Sequence, residues 1–222
     1  MTTRLDGPRL PPASGAPAKQ LVVFLHGFGA DGNDLIELGR EWARQLPHAA
    51  FVSPHAPEPC GMAPMGRQWF NLTFRDPGEM ARGVANAGPI VDAFLAAELE
   101  RLRLPSSALA LVGFSQGAMV ALATGLRRRP LPAAIVGYSG ALASVEELPE
   151  EGKGPAILLV HGDMDEVIPV DAMMIAREQL AQAGLPVEWH VARGLGHGID
   201  PTGLRLGGDF LRQAFAATAR LG

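Results

Sequence analysis

The sequence predicts an α/β domain: a mostly parallel central sheet with helices on both faces. Three observations carry that prediction. Short apolar runs alternate with segments of helical periodicity along most of the chain. Several of those runs are apolar at nearly every position, as strands buried on both faces must be. One of them leads straight into Gly113-Phe114-Ser115-Gln116-Gly117, and helix-forming sequence follows at once.

Taken in order, the predicted strands cover residues 21–25, 49–52, 108–112, 133–138, 157–160 and 187–191. The predicted helices cover 33–46, 89–102, 116–128, 171–183 and 202–219. Their punctuation is physical. Pro89 suits a first helical turn, and Pro201 suits another behind a capping Asp200. Arg127, Arg128 and Arg129 put positive charge at a helix C-terminus before Pro130 stops it. Residues 1–19 are rich in Pro, Gly, Ala and Ser. They read as a lead, loose or folded into a weak hairpin at Asp6-Gly7, ahead of one domain over 20–222. Residues 53–88 are the least regular region, with Pro54, Pro57, Pro59, Pro64 and Pro77 scattered through it. Loops of this length are usually functional or disordered. Met62, Met65, Trp69 and Phe70 make this one too apolar for disorder, so it is expected to fold over the C-terminal edge of the sheet.

Composition narrows the function classes. A chain of 222 residues with 47% hydrophobic and 19% charged residues is that of a soluble globular protein. A net charge of −4 gives no reason to expect nucleic acid as a partner. No apolar run approaches the roughly 18 residues of a membrane span, so no stable membrane insertion is expected. The N-terminus lacks an apolar signal core, and the single cysteine, Cys60, suits a reducing compartment. The expected location is the cytoplasm. Nothing in the chain argues against a homodimer.

The chemistry begins at Ser115. Gly113 and Gly117 allow a sharp strand-to-helix turn with a serine at its apex, the nucleophile elbow. In a chain with 27 glycines the bare pentapeptide also fits an ordinary turn with a capping serine. The rest of the sequence decides between them. A serine hydroxyl needs an adjacent base, itself oriented by a third group. In hydrolases with such an elbow the chain order is Ser, then Asp or Glu, then His. After the strand at 157–160 comes His161-Gly162-Asp163-Met164-Asp165, and after that at 187–191 comes Gly194-Leu195-Gly196-His197-Gly198. Acid and base therefore fall at the sheet edge that carries Ser115.

Two carboxylates compete for the acid. Asp163 lies close to the strand, where a loop aspartate often bonds backbone amides. Asp165 lies further out with better reach towards His197, and is favoured. His26 reads as shaping the turn Gly27-Phe28-Gly29, so that the Phe28 amide joins the Gln116 amide in an oxyanion hole. His48, His55 and His190 have no motif around them. Ser139 is a strand-end serine without an elbow. Met62, Met65, Trp69 and Phe70 are candidates for lining the substrate groove, with ordinary core packing as the alternative. His161-x-Asp163-x-Asp165 could hold a hard cation, yet no second histidine cluster completes a site, so no metal is expected.

Two other function classes find less support in the sequence. Gly27-Phe28-Gly29-Ala30-Asp31-Gly32 formally matches a dinucleotide-binding turn, but no acidic residue stands near the end of the next strand, where Ser53-Pro54-His55 occurs. A non-catalytic binding protein would have little reason to keep Ser, Asp and His in order.

Taken together, Leu25-His26-Gly27-Phe28-Gly29-Ala30-Asp31-Gly32, Gln68-Trp69-Phe70, the elbow, His161-Gly162-Asp163-Met164-Asp165 and Gly194-Leu195-Gly196-His197 resemble the phospholipase/carboxylesterase family of α/β-hydrolases, across residues 20–215. That family includes bacterial carboxylesterases and acyl-protein thioesterases. The resemblance implies an α/β-hydrolase fold with no separate cap domain, and Ser115, Asp165 and His197 as triad. It also implies the Phe28 and Gln116 amides as oxyanion hole, a shallow apolar groove and no cofactor. The expected substrate is a small-molecule or lipid ester of short to medium acyl chain, with thioesters and lysophospholipids as alternatives. Two departures stand out: Asn71 follows Trp69-Phe70 where the family commonly has Asp, and the N-terminal strands are reduced.

Overall fold

Nine strands and five α-helices succeed one another among the residues that the computed structural model describes, 4–73, 76, 78–145, 148–150 and 152–220. In chain order they are β1 (Arg9–Leu10), β2 (Gln20–Leu25), α1 (Gly32–Trp42), β3 (Ala49–Val52), β4 (Glu58–Pro59), β5 (Arg67–Gln68) and α2 (Glu79–Leu102). There follow β6 (Leu109–Phe114), α3 (Gln116–Arg127), β7 (Ala134–Tyr138), β8 (Ala156–Gly162), α4 (Asp171–Gln182), β9 (Val187–Ala192) and α5 (Pro201–Thr218). Seven strands form one sheet in the order β1-β3-β2-β6-β7-β8-β9. Every pairing in it is parallel except β1 with β3.

Alternate residues of the inner strands β3, β2, β6, β7 and β8 feed two separate apolar layers, because successive side chains point to opposite faces. Leu21, Val23 and Leu25 of β2, with Leu109 and Leu111 of β6, pack towards α2, α3 and α4. Val22, Phe24, Ala110 and Val112 pack the other way, against Leu35, Ile36 and Trp42 of α1 and Phe210, Leu211 and Phe215 of α5. This is the expected fold class, a mostly parallel sheet between two helical layers. α5 starts as the sequence predicts, with Pro201 in its first turn and the Asp200 carboxylate accepting from the Gly203 amide at 2.8 Å.

Three readings are corrected. α2 begins at Glu79, ten residues before the expected start, so Pro89 sits inside the helix. An interior proline forfeits one helical hydrogen bond and is normally costly. Here the buried stripe Val84, Ala87, Val91, Leu95 continues across it, so tertiary burial outweighs the local signal. α1 ends at Trp42, short of residue 46. Among its described residues the lead does not fold as a hairpin on itself: β1 pairs with β3, and the Ser53 and His55 amides donate to the carbonyls of Pro8 and Asp6. Buried Leu5 and a bond of 2.8 Å from Arg9 to the buried carboxylate of Glu98 hold it there. Pro77 and residues 1–3 lie outside the described residues. None of the helices among the described residues is long and apolar enough to cross a membrane.

Candidate active site

Parallel pairing brings the C-terminal ends of β2, β6, β7, β8 and β9 to one edge of the sheet, and the residues singled out above follow those ends. Ser115 joins β6 to α3 with φ 55° and ψ −118°. That backbone is strained for any residue with a Cβ, and such strain persists only where the surroundings impose it. They do so here. The Ser115 amide donates to the Tyr138 carbonyl at the end of β7. At the second position of the helix, a Cβ on Gly117 would stand 1.9 Å from the Leu25 carbonyl oxygen. Only glycine lets α3 start this close to the end of β2.

The turn after β2 borders the serine. A Cβ placed on Gly27 would lie 3.5 Å from the Ser115 Cβ, so the Phe28 amide belongs to a turn in contact with the elbow. His26 anchors this turn. Its Nδ1–H donates to the Gly27 carbonyl at 2.8 Å, and Nε2 accepts from the Ala56 amide at 3.0 Å. Burial pushes its pKa down to about 4, so the ring is neutral, consistent with one nitrogen donating and the other accepting.

Asp165 and His197 meet. The imidazole Nδ1–H donates to Asp165 Oδ2 at 2.8 Å, and Oδ1 accepts from the Val167 and Ile168 amides at 2.9 Å each. Burial alone would raise the Asp165 pKa. The bonds from His197 and the two amides overcome it and hold the carboxyl below its ordinary value. Nδ1 is committed to the acid, which leaves Nε2 as the free nitrogen of the ring. The His197 ring packs against Phe114, the residue preceding Ser115, with centroids 4.9 Å apart. The Ser139 hydroxyl donates to the carbonyl of Gly198 at 3.3 Å.

The two other members of the acidic motif turn elsewhere. Asp163 Oδ1 accepts from the Gly194 amide at 2.6 Å. His161 is buried; its Nε2–H donates to the Ile168 carbonyl at 2.7 Å and stands 3.3 Å from Asp165 Oδ2. The three side chains do not converge on a common point in the manner of a cation site.

The loop after β3 divides sharply. Trp69 and Phe70 are 2% and 5% exposed, whereas Met62 and Met65 are 82% and 90% exposed. Trp69 Nε1–H donates to the His26 carbonyl at 2.9 Å. Met65 borders a shallow depression beside the Phe28 turn, lined by Gly29, Ala30, Ala63, Pro64 and Gly66 and also by the polar Asp31, Asn33 and Asp34. The Gln116 side chain was not anticipated. Its Oε1 accepts from the Trp69 amide at 2.9 Å and its Nε2 donates to the Phe70 carbonyl at 2.8 Å. One amide group thus staples the loop to the elbow, and no local pattern in the sequence announces it. In the glycine-rich turn, Asp31 caps α1 by accepting from the Asn33 amide at 2.7 Å, an ordinary helix start.

Comparison with known proteins bears on the family and the fold. A family model described as Phospholipase/Carboxylesterase matches residues 12–215. Esterase YpfH of Escherichia coli strain K12 is 32% identical over 204 residues, covering 88% of this chain and 83% of its own. Acyl-protein thioesterase 1 of Saccharomyces cerevisiae is 28% identical over 218 residues, covering 90% of this chain and 95% of its own. Among solved structures, esterase PE8 is 42% identical with a TM-score of 0.89, over 95% of this chain and 99% of that one. A carboxylesterase from Mesorhizobium loti shares the fold at a TM-score of 0.77 and 20% identity, over 95% of this chain and 96% of that one.

Proposed function

The chain belongs to the phospholipase/carboxylesterase family and is a carboxylesterase-type hydrolase; from that premise we propose that it cleaves carboxylic esters through Ser115, His197 and Asp165. Ser115 Oγ attacks the ester carbonyl while His197 Nε2 takes its proton. Asp165 holds the imidazole in the Nδ1–H tautomer and stabilises the imidazolium that forms. The Phe28 and Gln116 amides receive the negative charge that develops on the carbonyl oxygen, a role worth about 10²–10³ in rate per donor. His197 then protonates the leaving alcohol. Water repeats the sequence on the acyl-enzyme, releasing the acid and restoring Ser115.

One observation carries this reading. A strained serine at a strand-to-helix turn shares a sheet edge with an imidazole already bonded to a carboxylate at 2.8 Å. The substrate is a small-molecule or lipid ester with a short to medium acyl chain. In this reading Met62 and Met65 present apolar surface to the acyl chain, and Trp69 and Phe70 support the floor beneath it. The name of the yeast relative favours thioesters as a second substrate class. The proposed setting is the cytoplasm.

The test is a series of p-nitrophenyl acyl esters beside matched thioesters, with fluorophosphonate labelling of the parent protein and Ser115→Ala. Turnover and labelling confined to the chain that keeps Ser115 are expected. Turnover that survives in Ser115→Ala would overturn the assignment.

A further inference from the structure

Asp163 has no place in that relay, yet it makes one of the shortest side-chain bonds at the site. Its Oδ1 accepts from the Gly194 amide at 2.6 Å. Gly194 has φ +70° and opens the four-residue turn that ends on His197. Two backbone bonds run alongside: the Asp163 amide donates to the Ala192 carbonyl at 3.1 Å, and the Met164 amide to the Leu195 carbonyl at 3.0 Å. Gly162 makes this approach feasible, because a Cβ there would stand 2.2 Å from the Leu195 carbonyl oxygen. The loop bearing the acid is thus laced to the loop bearing the base, and beside the Asp165–His197 pair itself Asp163 is the only side chain hydrogen-bonded across that lacing among the described residues.

We propose that Asp163 is a positioning residue: it fixes the Gly194–His197 turn, and through it the imidazole, by offering an acceptor oxygen at one place. This rests on the reading of His197 as the base. The two aspartates of the motif then divide the work. Asp165 must be charged, because it faces a developing imidazolium. Asp163 faces a neutral amide, so its charge is dispensable and the placement of its oxygen is not. A turn freed at Gly194 lets the imidazole drift from the serine, which costs turnover rather than ground-state binding, since misplacement by about an ångström can cost up to about 100-fold.

Three variants at position 163 decide the matter, read as kcat and KM on a p-nitrophenyl ester with folding checked by circular dichroism. Asp163→Asn keeps the acceptor oxygen in place without its charge, and is expected to hold kcat within about 3-fold of the parent. Asp163→Ala removes the acceptor, and Asp163→Glu keeps the charge but displaces the oxygen by a methylene. Both should lower kcat roughly 10-fold or more with KM nearly unchanged. If Asp163→Ala fails to fold, the Asn and Glu pair decides alone. Asp163→Glu near the parent with Asp163→Asn impaired, or all variants equal to the parent, overturns the proposal. Ser115→Ala runs beside them: activity persisting there refutes the underlying reading instead, so the two failures are told apart.

Discussion

His197 Nδ1 and Asp165 Oδ2 stand 2.8 Å apart although 32 positions separate them in the chain. The side chain of the acid is wholly buried and that of the base only 19% exposed. A hydrogen bond so shielded is stronger than one in water, and an unpaired carboxylate in the same place would be costly. His197 therefore acts on the acid as well as being oriented by it.

Replacing Asp165 by Asn should cut kcat by about four orders of magnitude, as loss of the orienting acid does in another serine triad. The amide can accept from Val167 and Ile168 but cannot stabilise an imidazolium. Steady-state turnover of purified Asp165→Asn checks this, and a loss of less than about tenfold would move the acid elsewhere.

The strained turn makes a prediction opposite in sign for stability and activity. Ser115→Gly removes the Cβ that makes φ 55° unfavourable, so it should stabilise the fold by about 1 kcal/mol. For a chain of this size that raises Tm by roughly 2–4 °C. Hydrolysis should vanish at the same time. Calorimetry of the variant is the check, and an unchanged or lowered Tm argues against stored strain at the elbow.

Gln116→Leu should destabilise without touching the backbone amide assigned to the oxyanion hole. It strands the Trp69 N–H and the Phe70 carbonyl, both buried, at about 1–3 kcal/mol each. Urea unfolding should show a loss of roughly 3 kcal/mol. A loss below 1 kcal/mol means that water or a shifted loop satisfies these groups.

Stability should fall in mild acid because of His26. Its folded pKa of about 4 lies below the ordinary 6.5, so between those values the unfolded chain takes up the proton first. The contribution is complete above about pH 6.5 and is lost progressively as pH drops towards 4, a total of roughly 3 kcal/mol. Asp165 acts in a separate window. Its carboxyl is held below 3.8, so its contribution persists above that value and is lost only as pH falls through the lowered folded pKa. Urea midpoints measured from pH 7.5 to 3 should decline first in the imidazole range. In His26→Gln that first decline should flatten; a slope unchanged by the substitution assigns it to another group.

What could be read without coordinates was what neighbours in the chain decide for one another. Continuous apolar runs specify strands buried on both faces, and Gly113-Phe114-Ser115-Gln116-Gly117 specifies the turn that strains Ser115. The order of acid and base after β8 and β9 followed from the same local patterns. Partnerships across the fold were mostly beyond them, although the reach of Asp165 already favoured it over Asp163 for His197. Asp163 and Asp165 lie two positions apart on one loop, and only the packing of β8 beside β9 sends one to Gly194 and the other to His197. Burial in the helical layer carried α2 back through Pro89 to Glu79, and pairing with β3 ordered the lead. Trp69 and Met65 are similar in apolarity, yet one is sealed beneath the Gln116 staple and the other faces solvent. Periodicity and turn chemistry are short-range and written into consecutive residues. Hydrogen-bond partners, burial and exposure depend on where distant segments dock, and that is settled only when the sheet is assembled.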